Sequence, residues 1–263
     1  MTDRAIITSR RHALVEELRT IRDDRESPVL LLEGIRLVQE ALQSGMELDS
    51  LVWTPTDELE PIAASAVSKR RYAVSESVFE AISDVKSPQG ILGIAKRPSW
   101  TWQDLTKRAP APILVLDGVQ DPGNLAAIVR TAEAAGAAGL VTTPGTAHLF
   151  SPKALRGAMG STLRLPCLEH RPAEEIHREL RKTPYRILAA SMKSETKPSV
   201  DYTAVDWRKP VALLLGQEGQ GISSDWEGLV DSHLHIPMRP PVQSLNVAAA
   251  AAILLYEFVR QNS

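Results

Sequence analysis

Ile113-Leu114-Val115-Leu116-Asp117-Gly118-Val119-Gln120-Asp121-Pro122-Gly123-Asn124 is the stretch that decides the fold class. Four apolar residues in a row, without polar alternation, describe a strand covered on both faces. Asp117-Gly118 ends it. Asp-Pro-Gly-Asn is turn chemistry, and Asn124 is expected to cap a helix that runs to Ala135 with one apolar face. Strand, tight turn and helix form the repeating unit of a parallel α/β sheet.

The same alternation continues downstream. Gly139-Leu140-Val141 reads as a strand, and Ser151-Pro152 as the cap and first residue of a short helix. Ala173 to Arg181 reads as a charged surface helix. Arg186 to Ala190 and Val211 to Leu215 read as buried strands. A turn and helix are expected from Gly221, a last strand over His233 to Pro237, and a closing helix over Ser244 to Arg260 with Ser244 as its cap.

Upstream, Val29-Leu30-Leu31-Leu32 is a strand followed by Gly34 and a helix carrying Ile35, Leu37, Val38, Ala41 and Leu42 at helical spacing. Leu51 to Trp53, Tyr72 to Val74 and Ile91 to Ala95 are further strands. Leu59 to Val67 is a helix with Pro61 in its first turn. Between the halves, Pro98, Trp100, Trp102, Pro110 and Pro112 interrupt the pattern. The expected organisation is a small α/β domain over 1–96, a linker over 97–112 whose tryptophans pack on a domain, and a mainly parallel α/β domain with helices on both faces over 113–263.

Composition limits the functional classes. The chain has 263 residues and a formal net charge of −2, so any polyanion-binding surface must be local. Cys167 is the one cysteine, which excludes an intramolecular disulfide and suits a reducing, cytoplasmic setting. Met1-Thr2-Asp3-Arg4 does not open an apolar leader, and the apolar run Val247 to Tyr256 is too short to span a bilayer. His233 and His235 lack a neighbouring ligand pattern, so no metal is expected. No Gly-x-Ser-x-Gly elbow, P-loop or Gly-x-Gly-x-x-Gly fingerprint is present.

Three loops at the carboxyl side of the expected strands hold the unusual residues, where ligands bind in parallel sheets. The first is Asp121 to Asn124, followed by Arg130-Thr131-Ala132. The second is Leu215-Gly216-Gln217-Glu218-Gly219-Gln220-Gly221. The third is Ile236-Pro237-Met238-Arg239-Pro240-Pro241-Val242-Gln243-Ser244-Leu245-Asn246-Val247. Each on its own also reads as capping or an ordinary turn.

In this order and spacing, the three loops resemble the motifs of the SpoU/TrmH class of the SPOUT methyltransferase superfamily. Leu32-Glu33-Gly34-Ile35-Arg36-Leu37-Val38 resembles the ribosomal-protein-like RNA substrate-binding domain of many members. The resemblance implies S-adenosylmethionine-dependent 2′-O-methylation of a ribose in RNA, with ribosomal RNA favoured by the extra domain. It implies a deep trefoil knot over 113–263 and a homodimer through that domain. It assigns Leu215, Gly216, Ile236, Met238 and Leu245 to cofactor binding. It assigns Arg130, Asn124, Glu218, Ser244 and Asn246 to catalysis, with Glu218 paired to Arg130.

An arginine is a poor base, because its guanidinium stays protonated. Arg130 is therefore read as a phosphate binder and stabiliser of developing negative charge. Arg10, Arg11, Arg36 and Arg156 are the expected RNA contacts, with Arg19, Arg22, Arg25 and Lys69-Arg70-Arg71 in the same basic group and Arg164 and Arg239 as guides toward the site. Ala126, Pro240 and Ala248 depart from the family pattern. They leave open a catalytically inactive knotted RNA-binding dimer acting in ribosome assembly. Base methylation and another nucleotide-binding α/β enzyme are the remaining alternatives.

Overall fold

The computed structural model describes residues 5–24, 26–191 and 198–263, which group into two units. Arg25 and Met1 to Arg4 lie outside the described residues.

The first unit comprises 1–98 together with 150–163. Its elements are α1 (Ala13–Asp23), β1 (Val29–Glu33), α2 (Ile35–Gln43), β2 (Leu48–Trp53), α3 (Leu59–Ser65), β3 (Ser68–Ala73), α4 (Glu76–Ile82) and β4 (Ile91–Lys96). The strands form a sheet in the order β1-β4-β2-β3. β4 runs antiparallel to both neighbours, and β2 and β3 are parallel. Two helices here were not expected. α1 buries only Leu14, Val15 and Leu18, and α4 only Val78, Phe79 and Ile82. Both pack with Val52, Leu92 and Ile94 of the sheet.

The second unit comprises 99–149 and 164–263. Its elements start with α5 (Trp102–Thr106), β5 (Ile113–Asp117), α6 (Pro122–Ala134) and β6 (Gly139–Thr142). Along the chain, α7 (Pro152–Ala158) lies in the first unit and α8 (Ser161–Arg164) crosses the boundary. Then follow β7 (Cys167–Leu168), α9 (Ala173–Leu180), β8 (Arg186–Ala190), β9 (Ser199–Asp201), β10 (Val211–Gly216), β11 (Ser232–His235) and α10 (Val247–Asn262). Seven strands form a sheet in the order β7-β6-β5-β10-β8-β11-β9, with every pairing parallel. Every residue of β5 is buried, as are the first five of β10, so both faces of these central strands are covered.

The expected linker is partly structured. Thr101 and Asp104 form a capping box at the start of α5. Leu105, Trp100 and Trp102 pack into the core of the second unit. A fully buried leucine contributes about 1.5–3 kcal/mol, enough to hold so short a helix on the sheet. Residues 150–163 instead group with the first unit, placing Leu155 and Leu163 in its core beside Leu30 and Leu37. The helix expected from Gly221 is a single 3₁₀ turn, Ser224–Trp226, pinned by buried Trp226. No helix among the described residues is long and apolar enough to cross a membrane.

Candidate active site

β5 and β10 are adjacent, so their carboxyl ends bring the first two loops together. Asp121, not Asn124, caps α6. Its carboxylate accepts the Asn124 amide at 2.8 Å, and Pro122 occupies the first turn. Asn124 is therefore inside the helix, with its side chain available for other contacts. Ser244 does not cap α10 either. Asn246 does, accepting from the backbone of Ala248 at 3.0 Å and Ala249 at 3.3 Å.

The three loops meet through one carboxylate. Asn124 Nδ2 donates to Glu218 Oε1 at 3.0 Å, and Asn246 Nδ2 donates to the same oxygen at 2.6 Å. Asn246 Nδ2 also reaches Asn124 Oδ1 at 3.0 Å, and the Val247 amide reaches Glu218 Oε1 at 3.4 Å. The carboxylate thus faces the amino end of α10, where a negative charge is favoured by the helix dipole. This arrangement corrects one expectation. Glu218 is occupied by the two asparagines, and Arg130 forms no ion pair among the described residues. Arg130 is exposed on α6.

Two features hold the loops from behind. The backbone of Gly221 passes close over Gly216, and a β-carbon on Gly216 would sit 2.2 Å from the Gly221 carbonyl carbon. Only glycine permits that approach. The loop then closes through Gln217 and Gly221, whose amides and carbonyls pair at 3.1 and 3.0 Å. Asp117 was not foreseen as a site residue. It is buried, accepts the Thr143 hydroxyl at 2.8 Å and the Ser223 amide at 2.7 Å, and so ties two loops to the end of β5. Charge-assisted bonds of this kind offset the cost of burying the carboxylate. A lone acid at the end of an apolar strand was the available signal.

Of the residues expected to hold a cofactor, Leu215 is buried at the end of β10, and Ile236 and Met238 are half-buried just beyond β11. Leu245 is 36 % exposed and Val242 53 % exposed, so the third loop keeps apolar surface open that an aromatic base could cover. Ser244 is exposed. Ala126 is buried within α6, and the Ala248 amide serves the Asn246 cap, so neither departure from the family pattern disrupts the asparagine–glutamate cluster.

The basic residues are a different matter. Arg10 donates to the Ser77 carbonyl and faces Glu80, Lys69 pairs with Asp49, Arg70 with Glu17, and Arg156 with Asp84 at 2.9 Å. Arg164 grips Glu133 at 2.6 and 3.0 Å. Arg11 and Arg36 are exposed, and their side chains have no partner among the described residues. Of the expected basic group and guides, Arg11, Arg36 and Arg239 are thus exposed with side chains unpaired among the described residues, as is Arg130.

Comparison with known proteins agrees with the fold. Residues 111–256 match the SpoU rRNA Methylase family and residues 14–93 the MRM3-like substrate binding domain. The chain belongs to the SpoU rRNA methylase family. It is 31% identical over 242 residues to the 23S rRNA (guanosine(2553)-2′-O)-methyltransferase RlmP of Bacillus subtilis, covering 92% of each chain. It is 33% identical to an uncharacterized tRNA/rRNA methyltransferase of Synechocystis, covering 99% of this chain and 95% of that one. An AdoMet-bound rRNA methyltransferase from Sinorhizobium meliloti superposes with a TM-score of 0.81 at 30% identity, covering 97% of both chains.

Proposed function

We propose that this protein methylates the 2′-oxygen of a ribose in ribosomal RNA, using S-adenosylmethionine. The observation that carries the reading is the Asn124–Glu218–Asn246 cluster, which joins all three loops at the ends of β5, β10 and β11. The family relationship and the AdoMet-bound relative support the choice of donor. Leu215, Gly216, Ile236, Met238 and Leu245 are the residues that would hold it. The bound cofactor supplies an electrophilic methyl group on a sulfonium.

The chain's own residues do the rest. Glu218 fixes the two asparagine amides, which orients the third loop against the first. Asn124 and Ser244 position the nucleotide. Arg130, exposed and unpaired among the described residues, binds the RNA phosphate and stabilises negative charge as the 2′-hydroxyl loses its proton. Its proton is passed to phosphate or water, since the guanidinium itself is no base. Arg11 and Arg36 anchor RNA on the first unit. The working form is a cytoplasmic homodimer through the knotted second unit.

The test uses methyl-labelled S-adenosylmethionine with unmodified ribosomal RNA, followed by digestion to nucleosides. A labelled 2′-O-methyl nucleoside, lost in Arg130→Ala, is the expected result. A labelled base would overturn the ribose assignment. Full turnover in Arg130→Lys would overturn the bidentate phosphate role.

A further inference from the structure

His148, Glu169 and His170 meet away from the asparagine–glutamate cluster, where the loops leaving β6 and β7 face one another. One potential ligand atom from each lies within 4.8 Å of the other two, and all three residues are half-buried. His170 Nε2 stands 3.2 Å from His148 Nδ1. Two nitrogens bound to one tetrahedral zinc at its usual bond lengths lie about 3.3 Å apart. The two imidazoles are thus already at ligand spacing.

The surroundings fix this approach. His170 adopts a left-handed backbone with φ of 53°, and its amide donates to Thr142 Oγ1 at 3.0 Å. The Arg171 amide donates to the Thr142 carbonyl at 2.8 Å. Glu169 Oε1 accepts the Leu149 amide at 2.7 Å, which turns the carboxylate toward the His148 loop. A carboxylate has lone pairs enough to keep that bond and ligate a cation as well. Such outer hydrogen bonds orient ligands at metal sites.

We propose that His148, Glu169 and His170 form a binding site for a zinc-class divalent cation. Two imidazoles and a carboxylate suit a borderline metal and leave a fourth position for a solvent oxygen. Between the facing nitrogens, a hydrogen bond needs one N–H and one lone pair, whereas a metal needs two lone pairs. Binding therefore shifts the donating ring to its other tautomer. The cation clamps residues 143–149 to residues 169–171. Because Ala147 donates to the Val119 carbonyl at 2.9 Å, the clamp also braces the loop that leads to Asn124. The sequence alone gave no hint of it, since the ligands sit on two loops with no recognisable ligand spacing.

The full chain, stripped with a chelator, is titrated with zinc by calorimetry and with cobalt by visible absorption. One cation per chain is expected, with a four-coordinate cobalt spectrum. Loss of a ligand should weaken binding at least about as much as loss of an outer partner does, roughly 100-fold, in both His148→Ala and His170→Ala. His235→Ala, which alters a histidine bonded to Ser199, should leave the affinity unchanged. No zinc binding at micromolar metal, or wild-type affinity in both ligand variants, would overturn the site. Should either variant fail to fold, X-ray absorption of the zinc-loaded wild type decides: fewer than two imidazole ligands refutes the assignment.

Discussion

Replacing Asn246 by aspartate separates the two jobs of that side chain. The cap survives, because a carboxylate still accepts from the amides of Ala248 and Ala249. The donations to Glu218 and Asn124 are lost. Worse, the new carboxylate stands where a donor was, 2.6 Å from Glu218 Oε1 before relaxation. Two unit charges about 4 Å apart repel by about 1 kcal/mol in water and about 4 at an effective dielectric of 20. The residues are exposed, so the lower end applies. Adding two lost hydrogen bonds of about 1 kcal/mol each and subtracting about 0.5 for the better charge–dipole contact leaves a destabilisation of about 2–3 kcal/mol. At about 2–4 °C per kcal/mol for a chain near this size, the melting temperature should fall by about 4–12 °C. Adding Glu218→Gln removes the repulsion and offers the new carboxylate an amide donor. The double variant should regain at least about 1 kcal/mol over the additive expectation in calorimetric melts, a coupling that only contacting residues show. Additivity of the two changes within about 0.5 kcal/mol would refute the three-loop cluster as the link between these residues.

Three further outcomes follow from the same geometry. Gly216→Ala must displace Gly221 and Ile222, costing about 1–3 kcal/mol by overpacking and weakening S-adenosylmethionine binding; calorimetry showing unchanged stability and affinity would rule out the tight backbone approach. Asp117→Ala leaves the Ser223 amide without its acceptor and the Thr143 hydroxyl with only longer bonds to backbone carbonyls, a loss of about 1–3 kcal/mol by thermal melt, with hydrogen exchange at Ser223 rising first; unchanged exchange there would contradict the tie. Glu257 is held at a pKa of about 2, chiefly by hydrogen bonds from Arg260. Its folded pKa is depressed, so its stabilising effect is full above the ordinary carboxylate range and fades as pH falls from about 4.5 toward 2. Melting temperatures of Glu257→Gln should therefore vary less across that window than those of the wild type; parallel curves would contradict the ion pair.

The sheet was legible because β5, β8 and β10 are unbroken apolar runs flanked by turn residues, and such runs admit few alternatives. The caps were harder. The Ser-Pro rule that located the start of α7 applies equally to Asp121-Pro122, and would have moved the cap of α6 from Asn124 to Asp121. At α10 the choice between Ser244 and Asn246 is tertiary: both can cap, and the contacts to Glu218 and Asn124 select Asn246. The grouping of 150–163 with the first unit was invisible for the same reason, since an apolar face does not name the surface it will cover. The missed α1 and α4 show the opposite limit, helices whose few buried residues are scattered among charges.

Charge was misread most, and the reason bears on function. In sequence, Lys69-Arg70-Arg71 and Arg10-Arg11 look like one basic surface. In the fold, Lys69 and Arg70 meet Asp49 and Glu17, and Arg10 meets Glu80. A chain with net charge −2 can direct itself to a polyanion only through cations its own acids leave alone. Among the described residues, Arg11 and Arg36 on the first unit and Arg130 and Arg239 on the second meet that condition. An exposed pair such as Lys69–Asp49 is worth little to stability, so its main consequence is to remove a cation from the surface field. Internal pairing thus sets which arginines can read a phosphate backbone. Among the described residues this leaves Arg130 free of competing carboxylates, as the proposed phosphate role requires.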